Sequence, residues 1–361
     1  MARSPPDAVA SRVLIFRMGS LGDTVVALPC FHLVARAFPG AERRVLTNAP
    51  VAAKAAPVMD VLGGSGLVHG AIAYPQGTRS PAALYRLRQE IRAFAPEVLV
   101  YMTEWRGRAA TWRDLAFFRT CGIDRIVGAP TTEDLARPRI LAKTKMWESE
   151  ASRLARCLAP LGDAQLDRRE SWDLHLDPRE RAEARAALAG WPGTARYLVM
   201  GAGTKIEAKD WGEENWRRTA QGLARPGWGL VLVGSADEAP RADAIARVWG
   251  GLTRNLCGTL SPRASAAVIE GARLYLGHDS GPMHVAAALG VPIVAVFSAR
   301  NKPGVWYPQG AGHAVLYNQT DCFGCELTRC IERGKACLNG IAPEAVVAAA
   351  SQRMDAAERR P

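Results

Sequence analysis

Short apolar runs, each closed by a turn, alternate along the whole chain with longer segments of helical period. Such a run reads as a buried strand of a parallel sheet, and the periodic segment as the helix that crosses to the next strand. In the first half strands are predicted at Arg12–Met18, Arg44–Thr47, Ala71–Tyr74, Glu97–Met102 and Arg125–Gly128, with helices between them such as Thr24–Phe38 and Pro81–Phe94. The second half repeats the scheme with strands at Tyr197–Met200, Gly229–Gly234, Leu274–Gly277 and Ile293–Phe297. Between the halves, Asp177 precedes Pro178 as an N-cap precedes a first-turn proline, which predicts a helix over Pro178–Ala189. The chain therefore divides into two α/β domains, 1–175 and 176–361. Ligands of doubly wound sheets bind beyond the carboxyl ends of the strands, so the loops after strands are where chemistry is expected.

The composition sharpens this picture in two places. The longest apolar stretch, Val285–Ala299, is interrupted by Gly290 and Pro292 and falls short of the roughly 20 residues a membrane-spanning helix needs. Residues Met1–Pro6 carry no apolar leader core, so a cytoplasmic protein is expected. The net charge of +11 is uneven: residues 1–170 hold 24 Lys and Arg against 16 Asp and Glu, the remainder 22 against 19. A basic first half suits nucleic acid, an anionic membrane surface or a phosphorylated acceptor, and equally an Arg-rich solvated surface. No helix-turn-helix, RNP or zinc-finger pattern is present, so nucleic acid is not an expected partner.

Four loops carry candidate chemistry. The first, Arg17-Met18-Gly19-Ser20-Leu21-Gly22-Asp23, follows the first strand, and its glycines let backbone approach a ligand while Asp23 stands where a helix begins. Its G-x-x-G spacing matches neither the dinucleotide fingerprint nor the P-loop, and on local spacing alone Asp23 reads first as a helix cap. The second is Gly201-Ala-Gly-Thr204-Lys205 with Lys209 close behind, a glycine-rich turn whose ammonium groups suit a diphosphate leaving group. The third, Gly234-Ser-Ala-Asp237-Glu238, offers a carboxylate to sugar or ribose hydroxyls, or caps a surface helix. The fourth runs from His278 through Asp279, Ser280, Gly281, Pro282 and Met283 to His284, as strand, tight turn and helix start. Its free amides and positive dipole end form a site for a pyrophosphate.

In sequence and in order these blocks resemble glycosyltransferase family 9, the lipopolysaccharide heptosyltransferases, over roughly residues 12–300. The D-S-G-P-M-H-x-A-A-A-L-G-V-P block is the most specific of them. The resemblance implies a GT-B fold, two Rossmann-like domains facing across a cleft, the first taking the acceptor and the second a nucleotide-diphosphate sugar such as ADP-heptose. It also implies inversion at the anomeric carbon and transfer to a hydroxyl of a lipopolysaccharide or other cell-surface glycan. Asp23 then resembles the catalytic base, with Gly19, Ser20 and Gly22 in the loop near the acceptor. Thr204, Lys205 and Lys209 resemble the donor phosphate and sugar contacts, and Glu238 the ribose contact. Leu260 corresponds to a position near adenine, and Asp279, Ser280, Gly281 and His284 to the donor-binding turn. No catalytic metal is expected. The chain departs from the family at Thr103-Glu104-Trp105-Arg106, where heptosyltransferases carry an Asp-x-Gln type sequence.

Two further clusters stand outside these blocks. Cys322-x2-Cys325-x4-Cys330-x6-Cys337 has spacing suited to a tetrahedral structural zinc or iron, or is four reduced thiols in a loop. Some family 9 relatives carry a similar segment, metal-holding in those that act on proteins. Arg79, Arg86, Arg88 and Arg92 flank one predicted helix, with Arg88 and Arg92 on one face, and Arg106, Arg108, Arg113 and Arg119 follow the next strand. They are candidates for binding an anionic acceptor and for loose contact with the inner membrane. Two rival readings share the fold or the ligand: a non-hydrolysing sugar-nucleotide epimerase, and a non-catalytic sugar-nucleotide or glycan-binding module.

Overall fold

The alternating pattern folds into two parallel sheets, one in each of two units, Met1–His175 and Leu176–Pro361. The computed structural model describes residues 10–48, 56–75, 77–78, 80–193 and 195–359. In the first unit β1 (Arg12–Phe16) leads through α1 (Leu21–Val26) and α2 (Leu28–Ala37) to β2 (Glu42–Asn48), then through α3 (Val58–Leu62) to β3 (Gly70–Tyr74). Helix α4 (Pro81–Phe94) returns to β4 (Val98–Tyr101), and α5 (Arg108–Thr120) leads to β5 (Arg125–Val127). Two short helices, α6 (Glu133–Ala136) and α7 (Glu150–Cys157), follow. The strand order is β3-β2-β1-β4-β5, so the chain changes direction between β1 and β4. A crevice at that switch point is where such sheets bind ligands.

The V-L-I-F run of β1 is buried throughout, as a central parallel strand with helices on both faces must be. On one face Leu14, Phe16, Leu46, Ile72 and Leu99 pack with Leu87, Ile91 and Phe94 of α4 and Phe118 of α5. Each such side chain contributes roughly 1.5–3 kcal/mol by leaving water. The single helix expected over Thr24–Phe38 is broken at Ala27 (φ −89°, ψ 0°) into α1 and α2. Pro29 causes the break, since it has no N–H to give and can sit only in the first turn of a new helix.

The second unit opens with α8 (Pro178–Ala187). Asp177 Oδ1 accepts from Glu180 N (2.8 Å) while Glu180 Oε2 accepts from Asp177 N (2.7 Å), a reciprocal capping box with Pro178 at the first position. Next come β6 (Arg196–Gly201), α9 (Glu213–Leu223), β7 (Trp228–Leu232), α10 (Ala239–Trp249) and β8 (Thr253–Asn255). After α11 (Pro262–Glu270) the chain crosses to β9 (Leu274–His278), α12 (Gly281–Ala288), β10 (Ile293–Phe297) and β11 (Ala314–Tyr317), ending in α13 (Ala336–Asn339) and α14 (Pro343–Glu358). The order β11-β10-β9-β6-β7-β8 places this switch point between β6 and β9. Edge strand β8, Thr-Arg-Asn, carries no apolar run, so hydrophobic patterning does not announce it; β11, Ala-Val-Leu-Tyr, is apolar and half-buried, with Ala314 and Leu316 packed on the core. Among the described residues no helix is long and apolar enough to cross a membrane.

Candidate active site

The loops after β6 and β9 flank the second switch point and carry most of the polar side chains singled out in that half. Asp279 directly follows β9 and is only 6% exposed. Its Oδ2 accepts from Lys209 Nζ (2.7 Å) and Asn301 Nδ2 (2.9 Å), and its Oδ1 lies 3.7 Å from His284 Nε2. Burial alone would raise the Asp279 carboxyl, but the Lys209 ammonium and His284 outweigh it and hold the group well below the usual carboxylate range. Asp279 thus acts as a buried anchor that fixes Lys209 and His284 beside the start of α12. Ser280, the N-cap of α12, makes no capping bond to its own helix, and Gly281 and Pro282 form the first turn. Uncapped amides, the positive helix end and a neighbouring ammonium together favour a bound anion.

His278, the last residue of β9, fixes the facing loop. Its Nε2 accepts from Trp211 N (3.0 Å) and Trp216 Nε1 (3.2 Å), so the neutral ring carries its proton on Nδ1, 3.3 Å from the Gly203 carbonyl. Burial lowers this histidine to about 4, which keeps that tautomer at neutral pH. A Cβ on Gly203 would stand 1.9 Å from Glu238 Oε1, so only glycine lets the β6 loop close against that carboxylate. Glu238 also accepts from Ser235 N (3.0 Å) in a capping box, and it lines a small pocket with Ala202, Gly203, Val233, Arg241 and Cys257. Thr204 is half-buried in the Gly203 turn, where its hydroxyl accepts from Ile206 N (3.4 Å), and Lys205 is exposed. Leu260 is half-buried just before Ser261, which caps α11 through Ala264 N (3.1 Å).

In the first unit the loop after β1 is held from three sides. Gly19 N donates to Asn48 Oδ1 (3.2 Å) at the end of β2. The Arg17 guanidinium, 1% exposed, donates to the Met102 carbonyl (2.6 Å) beyond β4 and to the backbone carbonyl of Asp23. Ser20 is the N-cap of α1, and Asp23 Oδ2 accepts from Ser20 N (2.6 Å) and Ser20 Oγ (3.0 Å). Gly22 is buried inside α1. The Asp23 carboxylate packs so closely on Gly19 (φ 123°) that a Cβ there would lie 2.5 Å from its own Cβ. Asp23 therefore does stand in a capping arrangement, and it also sits at the carboxyl end of β1, on the switch point.

Glu104 shares that edge. Although its side chain reaches solvent, the surrounding protein raises its carboxyl to about 7, assisted by the Asp23 and Glu150 carboxylates and opposed by Arg17 and Arg153. Arg153, 2% exposed, pairs with Glu150 (2.6 Å) and reaches the Thr103 carbonyl (3.4 Å).

Arg88 and Arg92 are not gathered with these groups. They occupy the second half of α4, which runs back to the amino end of β4, and Arg88 Nε donates to the Thr120 carbonyl (2.8 Å) at the end of α5. Arg79 lies outside the described residues. Arg17 is the cation bonded to Asp23, while Arg106, over the Phe16 ring at the end of β1, and Arg113 both pair with Asp114, which also accepts from Tyr101 Oη (2.9 Å). Two guanidiniums on one carboxylate leave a positive excess there.

The tetrahedral metal site expected at the four cysteines is not formed. Among the described residues no group of three or more His, Cys, Asp or Glu side chains is arranged to hold a metal ion. Cys330 Sγ accepts from Lys335 N (3.3 Å), Cys322 lies against Thr320 Oγ1 (3.5 Å), Cys325 is exposed, and burial raises Cys337, to which the neighbouring Cys322 and Cys330 add. Asn48, Asn301 and Arg241 are not marked in the sequence, and Arg17 and His278 stand in the candidate loops there without a role. Each acts through a contact between distant loops, which leaves no local motif.

Comparison with known proteins bears on the family and the fold. Residues 140–335 match the model of glycosyltransferase family 9 (heptosyltransferase). Lipopolysaccharide heptosyltransferase 1 of Pseudomonas aeruginosa is 27% identical over 348 residues, covering 88% of this chain and 87% of that protein. The glycosyl transferase family 9 structure from Veillonella parvula superposes with a TM-score of 0.74 at 18% identity, over 98% of this chain and all of that one. The E. coli heptosyltransferase WaaC with ADP-2-deoxy-2-fluoro heptose gives 0.62 at 18% identity, over 94% and 99%. These findings favour neither the epimerase nor the binding module. With two parallel-sheet units of GT-B type and a family match over more than half its length, the chain belongs to glycosyltransferase family 9 and is a glycosyltransferase.

Proposed function

We propose that this enzyme moves a heptose, with inversion, from ADP-heptose to a hydroxyl of a lipopolysaccharide or other cell-surface glycan. The observation that carries this reading is the Lys209–Asp279–His284 arrangement at the start of α12, a site suited to a diphosphate. The matched proteins support the choice of sugar and acceptor, since one is named for heptose transfer to lipopolysaccharide and one was solved with an ADP-heptose analogue.

In the proposed reaction the acceptor oxygen forms its bond to the anomeric carbon as the bond to the diphosphate breaks. Asp23 takes the acceptor proton, a role typically worth about 10²–10⁴-fold. The charge left on the diphosphate is met by Lys205, Lys209 and the amides of Ser280 and Gly281, with His284 beside them, so no catalytic divalent metal enters the scheme. Thr204 is assigned to the donor phosphate and sugar, Glu238 to the ribose, and Leu260 to the adenine.

The acceptor is assigned to the first unit, where Arg106 and Arg113 are better placed than Arg88 and Arg92 for its anionic groups. Peripheral contact with an anionic membrane is assigned to the hairpin closed by the Ile140–Trp147 bridge. Ile140 and Leu141 are 59% and 44% exposed there, next to exposed Lys143 and Lys145. Aliphatic side chains flanked by lysines suit an anionic lipid surface, each cation contributing about 1 kcal/mol.

Thermal denaturation against a panel of nucleotide sugars tests the donor. ADP-sugars should raise the midpoint most. Stabilisation by a uridine or guanosine diphosphate sugar alone would overturn the choice of nucleotide.

A further inference from the structure

The four-cysteine segment takes no part in the chemistry above, yet it is bonded to both loops that hold Asp279. On one side Gly324 N donates to the Ala299 carbonyl (2.7 Å) and Glu326 N to the Arg300 carbonyl (3.0 Å). Arg300 returns bonds to the carbonyls of Leu327 (2.8 Å) and Glu326 (2.6 Å). The next residue, Asn301, is the one that donates to Asp279. On the other side Ala208 N donates to the Thr328 carbonyl (3.1 Å), and Glu207 Oε2 accepts from Cys330 N (3.1 Å). Lys335 Nζ donates to the Asp210 carbonyl (3.0 Å) and pairs with Glu207 Oε1 (3.1 Å). Glu207, Ala208 and Asp210 bracket Lys209. Arg241 grips the Asp210 carboxylate through two bonds (3.0 and 2.9 Å), so the short turn Glu207–Lys209 is fixed from two directions while Lys209 reaches Asp279.

We propose that the segment 322–337 is a clamp on the diphosphate site, and that Lys335 is a positioning residue that sets Lys209 through the Glu207–Asp210 turn. This rests on the assignment of the donor to that site. Lys209 ends a flexible four-carbon stem, and the clamp confines the backbone from which the stem springs. The Glu207–Lys335 pair is itself partly exposed (42% and 26%), and such pairs add little to folding stability. Its loss should therefore be felt at the ligand and not in the fold.

Titration calorimetry with ADP, on the full chain, tests the clamp. Lys335→Met should weaken ADP by about 5–10-fold, because displacement of a binding group by less than 1 Å is felt strongly. The melting temperature should move by no more than about 2 °C. Lys335→Arg should restore affinity to within about twofold, because it keeps the charge and the donors. Glu207→Gln should weaken ADP in the same direction, and Lys335→Met combined with it should be no worse than Lys335→Met alone, as expected for one coupled unit. ADP affinity unchanged in Lys335→Met, or a loss that Lys335→Arg fails to rescue, overturns the clamp. Lys209→Met separates the two ideas. If it binds ADP like the wild type, or if the wild type does not bind ADP, the donor assignment fails and the clamp with it. If Lys209→Met loses ADP while Lys335→Met keeps it, only the clamp fails.

Discussion

Replacing Asp279 by Asn keeps its shape and removes its charge, leaving the Lys209 ammonium at 15% side-chain exposure without its anion. Breaking a fully buried pair costs about 3–5 kcal/mol; Lys209 can recover some hydration, so a loss of about 2–3 kcal/mol is expected. In a unit the size of Leu176–Pro361 each kcal/mol moves the midpoint by about 2–4 °C, so the variant should melt roughly 4–12 °C lower at pH 7. The pH dependence carries a sign. The folded carboxyl lies below its unfolded value, so its contribution is fully present above that value, about pH 4, and fades as the pH falls through the folded one. The gap between wild type and variant should therefore stay level from about pH 8 to pH 5 and close only in stronger acid. Lys209→Met added to Asp279→Asn removes the orphaned cation, so the double variant should be more stable than the sum of the two losses predicts. Thermal denaturation followed by circular dichroism across this pH range measures both effects. Equal midpoints at pH 7, or a gap that widens toward acid, would refute the assignment of Asp279 as an anchoring anion.

Three further outcomes follow from the geometry. Glu104 is raised in the folded state, so folding takes up a proton and wild-type stability falls as pH rises from its unfolded value through about 7. Glu104→Gln should match the wild type at pH 4 and exceed it at pH 8, and identical melting curves at both would remove Glu104 from the Asp23 edge. Ile140→Ser with Leu141→Ser should lower co-sedimentation with vesicles rich in phosphatidylglycerol, as should Lys143→Glu with Lys145→Glu; unchanged binding in both would exclude the hairpin as the lipid contact. His284→Ala should weaken ADP by about tenfold in calorimetry, and an unchanged dissociation constant would move the diphosphate away from α12.

Most strands and both switch-point loops were legible because buried parallel strands are near-continuous apolar runs and their ends carry glycine and proline punctuation. The Asp177–Pro178 cap shows a local rule surviving intact, since every group it needs lies within four residues. Edge strand β8 is not legible because Thr253–Asn255 has no apolar pattern, whereas β11 is a short apolar run, Ala-Val-Leu-Tyr, that the sequence reading passes over. The break at Ala27 was missed because Pro29 was carried through a helical period it cannot continue. At the site, Lys209, Asp279 and His284 are near glycine-marked turns, and their residue types advertise anion chemistry. His278 and Asn301 do not: one looks like a buried strand end and the other like a polar loop residue, and only the fold brings them to Gly203 and Asp279. The cysteine spacing left a metal site and a loop of reduced thiols both open, since spacing fixes neither the path of the intervening backbone nor where the thiols point, and among the described residues no metal-holding group of three or more is formed.

The central claim is that Asp23 takes the acceptor proton while the second unit binds the donor. It is tested most directly by incubating ADP-heptose with a heptose-deficient lipopolysaccharide acceptor and measuring the heptosylated product by mass spectrometry, for the wild type and for Asp23→Ala. The account predicts wild-type product carrying one added heptose, and turnover at least about 10²-fold lower in the variant with ADP affinity within a few-fold. Undiminished turnover in Asp23→Ala would contradict the account and leave Asp23 as a helix cap only.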